Sequence, residues 1–492
     1  MQASESAGPD DTLPRERRLY YGGAWHDAKS GRQLAVISPA DGASLGAVHE
    51  AGAEDVASAV AAAKDALPGW RKMPPLERAK LLKTCAMIIR RHSGELSRID
   101  ALDGGAPIGE MARDVENAAS QLEYFAGLVL EIKGYTVPLD PGRLHFTQRE
   151  PLGVVVRIGA FNHPFMFTAA KIAAPLAAGN TVIVKPAEQA PLSALRLAEL
   201  LHTFLPPGVL NILNGGAECG AALCSHPDVA KIALIGSVAT GKAILRAAAE
   251  TVKPVGLELG GKNALIAFPD ADPEKVAAAA VKGMNFTWCG QSCGSTSRAF
   301  LHEAIHDRVL DLIAAKVASI KPGLPTDRQA GMGAIISAAQ LEKVERYVGY
   351  GLEDGARLVA GGKRPDDPAL ARGFYFLPTV FADVTPDMRI AREEIFGPVL
   401  SVFRWSDRAA MMGHVNALPV GLTCAIFTND LAAAHETAAE AEAGYVWINE
   451  AGPHYLGMPF GGWKQSGMGE EESLGELMAY TRLKAINLKM RP

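Results

Sequence analysis

Ile232-Ala233-Leu234-Ile235 runs directly into Gly236-Ser237-Val238-Ala239-Thr240-Gly241, and that hexamer leads into the Ala-rich residues 242–249. A short apolar run of this kind predicts a buried strand, the glycine-bounded hexamer a tight turn, and the last stretch a helix. Amide donors at the N-terminus of a helix, placed at the carboxyl end of a strand, form a cradle for a phosphate, so Gly236, Ser237 and Gly241 are candidates for contact with a dinucleotide. Taken alone, Gly-x-x-x-x-Gly discriminates weakly, because strand-to-helix turns also use glycine for steric reasons. A second unit of the same kind lies upstream: a strand predicted over residues 181–185 ends in Lys185, Pro186-Ala187-Glu188 follows, and a helix is expected over 192–201. An ammonium and a carboxylate after one strand can hydrogen-bond a ribose diol, which adds Lys185 and Glu188 to the candidates against the plainer reading of two surface charges.

Outward from these units, Ala- and Leu-rich helical stretches alternate with β-branched runs, the rhythm of an α/β protein with mainly parallel sheets. Short strands are expected over 19–25 and 33–38, helices over 53–66 and 75–91, and a long amphipathic segment over 112–132. Residues 134–140, with Pro138 and Pro141, interrupt the pattern before a strand over 153–158, which predicts a domain seam. A chain of 492 residues with 48% hydrophobic composition exceeds what one core accommodates, so two or three domains are expected. The net charge of -5, with no basic stripe interleaved with aromatics, gives a nucleic-acid partner no electrostatic support. No apolar run approaches the roughly 20 residues that cross a bilayer, and residues 1–18 are polar with no apolar signal core. Cys85, Cys219, Cys224, Cys289, Cys293 and Cys424 are too sparse for a disulfide framework, and a cytoplasmic, reducing setting is the expectation.

The chemistry concentrates in two glycine turns. Cys293 lies in Gly290-Gln291-Ser292-Cys293-Gly294, and Glu258 opens Glu258-Leu259-Gly260-Gly261-Lys262. A nucleophilic thiol needs close backbone approach and a donor-rich pocket, and a second step needs a base that can activate water. Read singly, a cysteine among glycines is a small buried residue and a turn glutamate is solvated. A competing pattern is His302-Glu303-Ala304-Ile305-His306, the H-E-x-x-H of zinc hydrolases, which needs both histidines on one helical face. Residues 297–301 read as a strand, so the helix is expected to begin near Glu303 and to leave His302 outside it. Cys289 reads as a small pocket residue, with capping of Cys293 on oxidation as the alternative.

Six motifs in order carry a resemblance: Ala160-Phe161-Asn162-His163-Pro164, Val184-Lys185-Pro186-Ala187-Glu188, the Glu258 and Cys293 turns, Glu393-Glu394-Ile395-Phe396-Gly397-Pro398-Val399, and Pro459-Phe460-Gly461-Gly462-Trp463-Lys464-Gln465-Ser466-Gly467. From about residue 19 to 488 the chain resembles the NAD(P)-dependent aldehyde dehydrogenase superfamily. The resemblance implies an α/β, aldehyde dehydrogenase-like fold: a Rossmann-type cofactor domain (1–130 and 152–259), an α/β catalytic domain (260–461) and a small β-flap for oligomerisation (131–151 and 477–492), in homodimers or homotetramers. It implies Cys293 as the nucleophile that carries a thiohemiacetal and then a thioester, with the Asn162 amide and the Cys293 backbone N–H as oxyanion donors. It further implies Glu258 as the base that activates water, Glu394 and Phe396 as contacts to the nicotinamide ribose and ring, and Leu259 as a further cofactor contact. Members that pass the acyl group to coenzyme A generally lack the carboxylate at position 258, so the expected product is the acid. Glu188 disfavours a 2′-phosphate, which makes NAD the expected cofactor and NADP the alternative.

The chain departs from the family pattern at Ile235, where threonine is common, at His163, where an aromatic follows the asparagine, at Ala170, often tryptophan, and at Glu470, often arginine. His163 and Ala170 give the substrate tunnel a different wall, which Phe165, Phe167, Phe286 and Trp288 could refill. Residues 450–458, at the tunnel mouth, contain no Arg or Lys to pair with a substrate carboxylate, so a neutral, fairly apolar aldehyde is expected over a semialdehyde acid. A catalytically silent nucleotide-binding member of the fold is the remaining alternative, and the joint presence of Cys293, Glu258 and Asn162 argues against it.

Overall fold

The computed structural model describes residues 12–139 and 141–490. The first eleven residues of the polar start, Asp140 at the predicted seam, and the last two residues of the predicted flap lie outside the described residues.

Two sheets organise the chain. The first has eight strands, in the order Ala24–His26, Leu19–Tyr21, Leu210–Ile212, Thr181–Lys185, Val154–Ile158, Val229–Gly236, Val255–Leu259 and Gly467–Met468. The five from Leu210–Ile212 to Val255–Leu259 run parallel. Val154, Val155, Val156, Val182, Ile183 and Val184 are buried, because helices cover both faces of a parallel sheet and leave no wet side for alternation. One apolar cluster packs the helices Pro75–Arg91, Ile108–Gly127 and Leu192–Leu201 on one face, and a second packs Ala53–Lys72 and Val238–Ala249 on the other.

The second sheet has seven strands, in the order Arg357–Ala360, Thr379–Ala382, Val399–Trp405, Arg298–His302, Ala264–Ala267, Thr423–Phe427 and Tyr445–Ile448, parallel except for the first. It carries its own core. A two-stranded antiparallel ribbon pairs Arg143–Pro151 with Thr481–Lys489 across nine residue pairs, and it leaves Leu144, Leu483 and Leu488 exposed.

The strand Gly467–Met468 positions the site. It returns the chain to the first sheet and sets Gly467 opposite Glu258, so residues 469–476 arrive beside the Glu258 strand. Three expectations are corrected in detail. Residues 19–25 form a hairpin, not one strand, because Gly22 and Gly23 take left-handed φ of 63° and 80° and turn the chain. The amphipathic segment expected over 112–132 is the helix Ile108–Gly127 followed by a single turn, Val129–Glu131; it starts earlier because Pro107 sits at the cap, where a residue without a needed N–H fits. The helix expected from residue 242 begins inside the turn, at Val238, because the Ser237 hydroxyl accepts from the Thr240 N–H at 3.2 Å and caps it.

Candidate active site

The Cys293 turn is bent tightly against the loop that precedes Val399–Trp405. Asn285 and Cys289 adopt left-handed conformations, and Gly290 (φ 64°) lies so close to the Gly397 carbonyl that a Cβ could not be accommodated. The turn is anchored by Asn263, whose side-chain amide donates to the carbonyls of Cys293 (2.6 Å) and Ser295 (3.0 Å) while its oxygen accepts from the Thr423 N–H (3.0 Å). Asn263 thus fixes the Cys293 loop to the second sheet. Cys293 is the one cysteine among the described residues that is not fully buried. Burial, then the carboxylates of Glu258 and Glu394, push its thiol up, and the N–H groups of Cys293 and Gly294 oppose them.

Glu258 lies at the carboxyl end of its strand, buried, and neither carboxyl oxygen meets a partner among the described residues. An unpaired buried carboxylate is costly, so its pKa is held well above the ordinary value, first by burial and then by Glu471, with Lys171 opposing. Beside it opens a cavity of about 140 Å³ lined by Arg157, Lys231, Glu471, Glu476 and Tyr480 among others, room for several waters. Glu471 bridges Arg157 (2.8 Å) and Lys171 (3.0 Å); burial would raise its pKa, but those two cations outweigh it and hold the carboxyl at about 2. Burial instead leaves Glu476 at about 7.

Asn162 is buried, and no hydrogen bond engages its side chain among the described residues. Its neighbour Phe161 meets the Phe396 ring edge to face at 5.6 Å, which joins the asparagine turn to the 393–397 loop. Phe396 holds a left-handed φ of 55°. In the same loop, Glu394 accepts from the Gly261 N–H at 3.2 Å and lies where a Cβ on Gly260 would stand. Cys293, Glu258, Glu394, Phe396 and the Asn162 turn therefore meet between the two sheets. His163 pairs with Asp114 (2.7 Å) and lies against Phe167 and Trp288, while Ala170 is buried in the core.

The remaining candidates gather at the carboxyl edge of the first sheet. Ala239 and Thr240, in the first turn of their helix, are open to solvent behind the Ser237 cap, while Val238 is half-buried against the sheet's apolar cluster. At Gly241 a Cβ would press on Leu259 at 2.9 Å, so glycine here lets the helix close on the sheet. Lys185 is buried, with Nζ donating to the Pro186 carbonyl at 3.4 Å, and burial lowers its pKa while Glu188 opposes. Glu188 reaches Gly216 in the turn after Leu210–Ile212, where a Cβ would come within 3.3 Å of its Oε2.

His302 ends the strand Arg298–His302, and its Nδ1 caps the helix Glu303–Ala318 by accepting from the Ala304 N–H at 3.2 Å. His306 is buried one turn inside. The two rings do not share a helical face, and no group of three His, Cys, Asp or Glu is placed to hold a metal among the described residues. Sequence reasoning missed Asn263, Lys171, Arg157 and Asp114. Asn263 follows the Glu258 motif directly and could have been suspected; the others have no local signal, because their partners lie far along the chain.

A parallel sheet with a capped helix at its carboxyl edge, a cysteine in a tight turn and a buried glutamate thus lie close together. The aldehyde dehydrogenase family matches residues 25–486, and the chain belongs to that family. It is 49% identical over 488 residues to aldehyde dehydrogenase tropH of Talaromyces stipitatus, covering 98% of this chain and 95% of the relative. Among solved structures it is similar to PnpE from Pseudomonas sp. WBC-3 in complex with nicotinamide adenine dinucleotide (40% identity, TM-score 0.95, covering 97% of this chain and 98% of that one). The NAD+ complex of aldehyde dehydrogenase from Bacillus cereus is likewise similar (36% identity, TM-score 0.94, 97% of each chain). No helix among the described residues is long and apolar enough to cross a membrane.

Proposed function

We propose that this chain oxidises a neutral, fairly apolar aliphatic or aromatic aldehyde to its carboxylic acid, with NAD as cofactor and NADP as the less favoured alternative. The observation that carries the reading is the approach of Cys293, a residue not fully buried, to a buried Glu258 carboxyl without a partner among the described residues, beside the proposed nucleotide edge. The residues present fit a dinucleotide: the open helix N-terminus at Gly236, Ser237 and Gly241 suits a pyrophosphate, Lys185 and Glu188 suit a ribose, and Leu259, Glu394 and Phe396 line the path to Cys293. When bound, the nicotinamide supplies a hydride acceptor.

In this reading the Cys293 thiol gives its proton to solvent, and the thiolate sulfur attacks the carbonyl carbon. The Asn162 amide and the Cys293 N–H hold the resulting oxyanion, and its collapse releases hydride and leaves a thioester on the sulfur. Glu258 then takes a proton from water, which attacks the thioester, frees the acid and restores the thiol. The division of labour follows the same reading: residues 1–130 and 152–259 bind cofactor, 260–461 carry the nucleophile, and 131–151 with 477–492 form a flap. A bare two-stranded ribbon is marginal alone, so its exposed leucines support a homodimer or homotetramer. Six free cysteines support a cytoplasmic setting.

NADH formation across an aldehyde panel tests the reaction. Cys293→Ala is expected to bind NAD by calorimetry yet lose at least about 1000-fold in turnover, as removal of a covalent nucleophile requires. Retained oxidation would refute the assignment, and succinate semialdehyde outperforming benzaldehyde and hexanal would refute the substrate class.

A further inference from the structure

Lys262 closes the Glu258 motif, and its side chain is buried with no hydrogen-bond partner for Nζ among the described residues. A buried ammonium left unpaired is among the costliest groups a fold can carry, so its surroundings are informative. Lys262 lines a cavity of about 10 Å³ together with Ser292, Ser297 and Glu394, room for a single water. Glu394 needs a neighbour there: one hydrogen bond engages its carboxylate among the described residues, from the Gly261 N–H at 3.2 Å. Lys343 and Lys262 are the cations that face it, and burial works against its charge. At Lys262, burial and then Arg298 pull the pKa down to about 7, with Lys343 acting in the same sense and Glu394 and Glu393 opposing. Arg298 does not compete for Glu394, because its guanidinium donates to the carbonyls of Lys262 (2.7 Å), His414 (3.1 Å) and Val415 (3.0 Å). A water in the cavity has the partners it requires: a donor in Lys262, an acceptor in Glu394, and serine hydroxyls that serve as either.

We propose that Lys262 is a positioning residue for Glu394: through one water held with Ser292 and Ser297, it fixes the carboxylate in the orientation that receives the cofactor ribose. A carboxylate steadied by a single long hydrogen bond turns about its side-chain bonds, and freezing that motion on binding weakens affinity. One already tied to an ammonium through a water loses less freedom when the cofactor arrives. The same water joins three segments, the Gly261-Lys262 turn, the serines on either side of Cys293 and the 394–397 loop, so the cofactor contact and the nucleophile share one support. This inference rests on the proposed contact between Glu394 and the nicotinamide ribose and adds the group that holds that contact in place.

The test measures the Kd for NAD by calorimetry, the KM for benzaldehyde at saturating NAD, and the thermal midpoint. It uses the full-length wild type, Lys262→Met, Lys262→Gln, Glu394→Gln and the double variant Lys262→Met with Glu394→Gln. Lys262→Met keeps the apolar stem and is expected to weaken NAD about tenfold while the aldehyde KM stays within about twofold. Its midpoint should hold or rise, because a lone buried ammonium is removed, whereas a lysine with only a structural role would lower the midpoint and leave NAD affinity alone. Lys262→Gln, which keeps an N–H donor for the water, should lose less affinity, and it carries the same comparison if Lys262→Met does not fold. In the double variant the loss should equal that of Glu394→Gln by itself, since Lys262 acts through Glu394. Unchanged NAD affinity on replacing Lys262, or losses that add in the double variant, would overturn the proposal. A Glu394→Gln protein that binds NAD as the wild type does would overturn the ribose contact beneath it instead.

Discussion

Among the described residues Glu258 has no hydrogen-bond partner for either carboxyl oxygen, and that isolation raises its pKa. A carboxyl held well above its ordinary pKa is protonated at lower pH and gains its base function only as pH rises through the shifted value. Hydrolysis of the thioester should therefore climb with pH on the alkaline side, and Glu258→Gln should abolish that limb. In the proposed sequence hydride leaves before water attacks, so the same variant is expected to release about one NADH per site in a stopped-flow burst and then stall, whereas steady turnover without a burst would remove Glu258 from the second step. Alkylation of Cys293 by iodoacetamide should be slow in the free protein at neutral pH and accelerate as pH rises, because burial and two carboxylates disfavour the thiolate. At this scale the sequence was readable where chemistry is written locally: Cys293, Glu258 and Asn162 each stand in a short, distinctive run. Lys171 and Glu471 were not, because an ion pair between residues 300 positions apart leaves no pattern in either neighbourhood.

Among the elements, the nucleophile loop depends on one side chain from outside it. Asn263 satisfies two carbonyls of the loop and one N–H of Thr423–Phe427, so Asn263→Ala strands three buried backbone groups. The expected cost is about 1–3 kcal/mol for each group left without water or a partner, seen as a lowered midpoint of thermal unfolding, together with a fall in kcat from a loosened Cys293. A fall in kcat relieved when the loop is restored by Asn263→Gln would be no surprise; an unchanged midpoint and unchanged kcat would show that the anchor is dispensable. Strand positions were legible because parallel strands buried on both faces read as unbroken apolar runs, as at Thr181–Lys185 and Val154–Ile158. Boundaries failed where a single residue decided them. The Ser237 hydroxyl moved a helix start from 242 back to Val238, and Gly22-Gly23 folded one expected strand into two. The strand Gly467–Met468 is two residues long, too short for any periodicity, yet it brings the Glu471 segment to Glu258.

Over the whole molecule, buried carboxyls of opposite tendency bracket the pH range of stability. Glu471, depressed to about 2 against 4.5 by Lys171 and Arg157 despite its burial, contributes stability that is present above the unfolded value and lost as pH falls toward 2. Asp100 and Glu476 behave in the reverse sense: burial raises both to about 7, so the folded state holds their protons more tightly. Their contribution is complete below the unfolded values and is lost as pH rises through about 7. The thermal midpoint is therefore expected to peak near the ordinary carboxylate range and to decline from there until about pH 7, where both groups have titrated in the folded state. Glu476→Gln, which removes a titrating group while keeping an acceptor for the Glu472 N–H, should flatten that decline. Glu471→Gln should lower the midpoint at every pH above the carboxylate range, because it leaves Arg157 and Lys171 buried beside a neutral amide, a change that costs about 3–5 kcal/mol when one partner of a buried pair is removed. A midpoint that rose between the ordinary carboxylate range and about pH 7, or a decline identical in Glu476→Gln and the wild type, would show that Glu476 reaches water through the adjoining cavity and does not govern the stability of the fold.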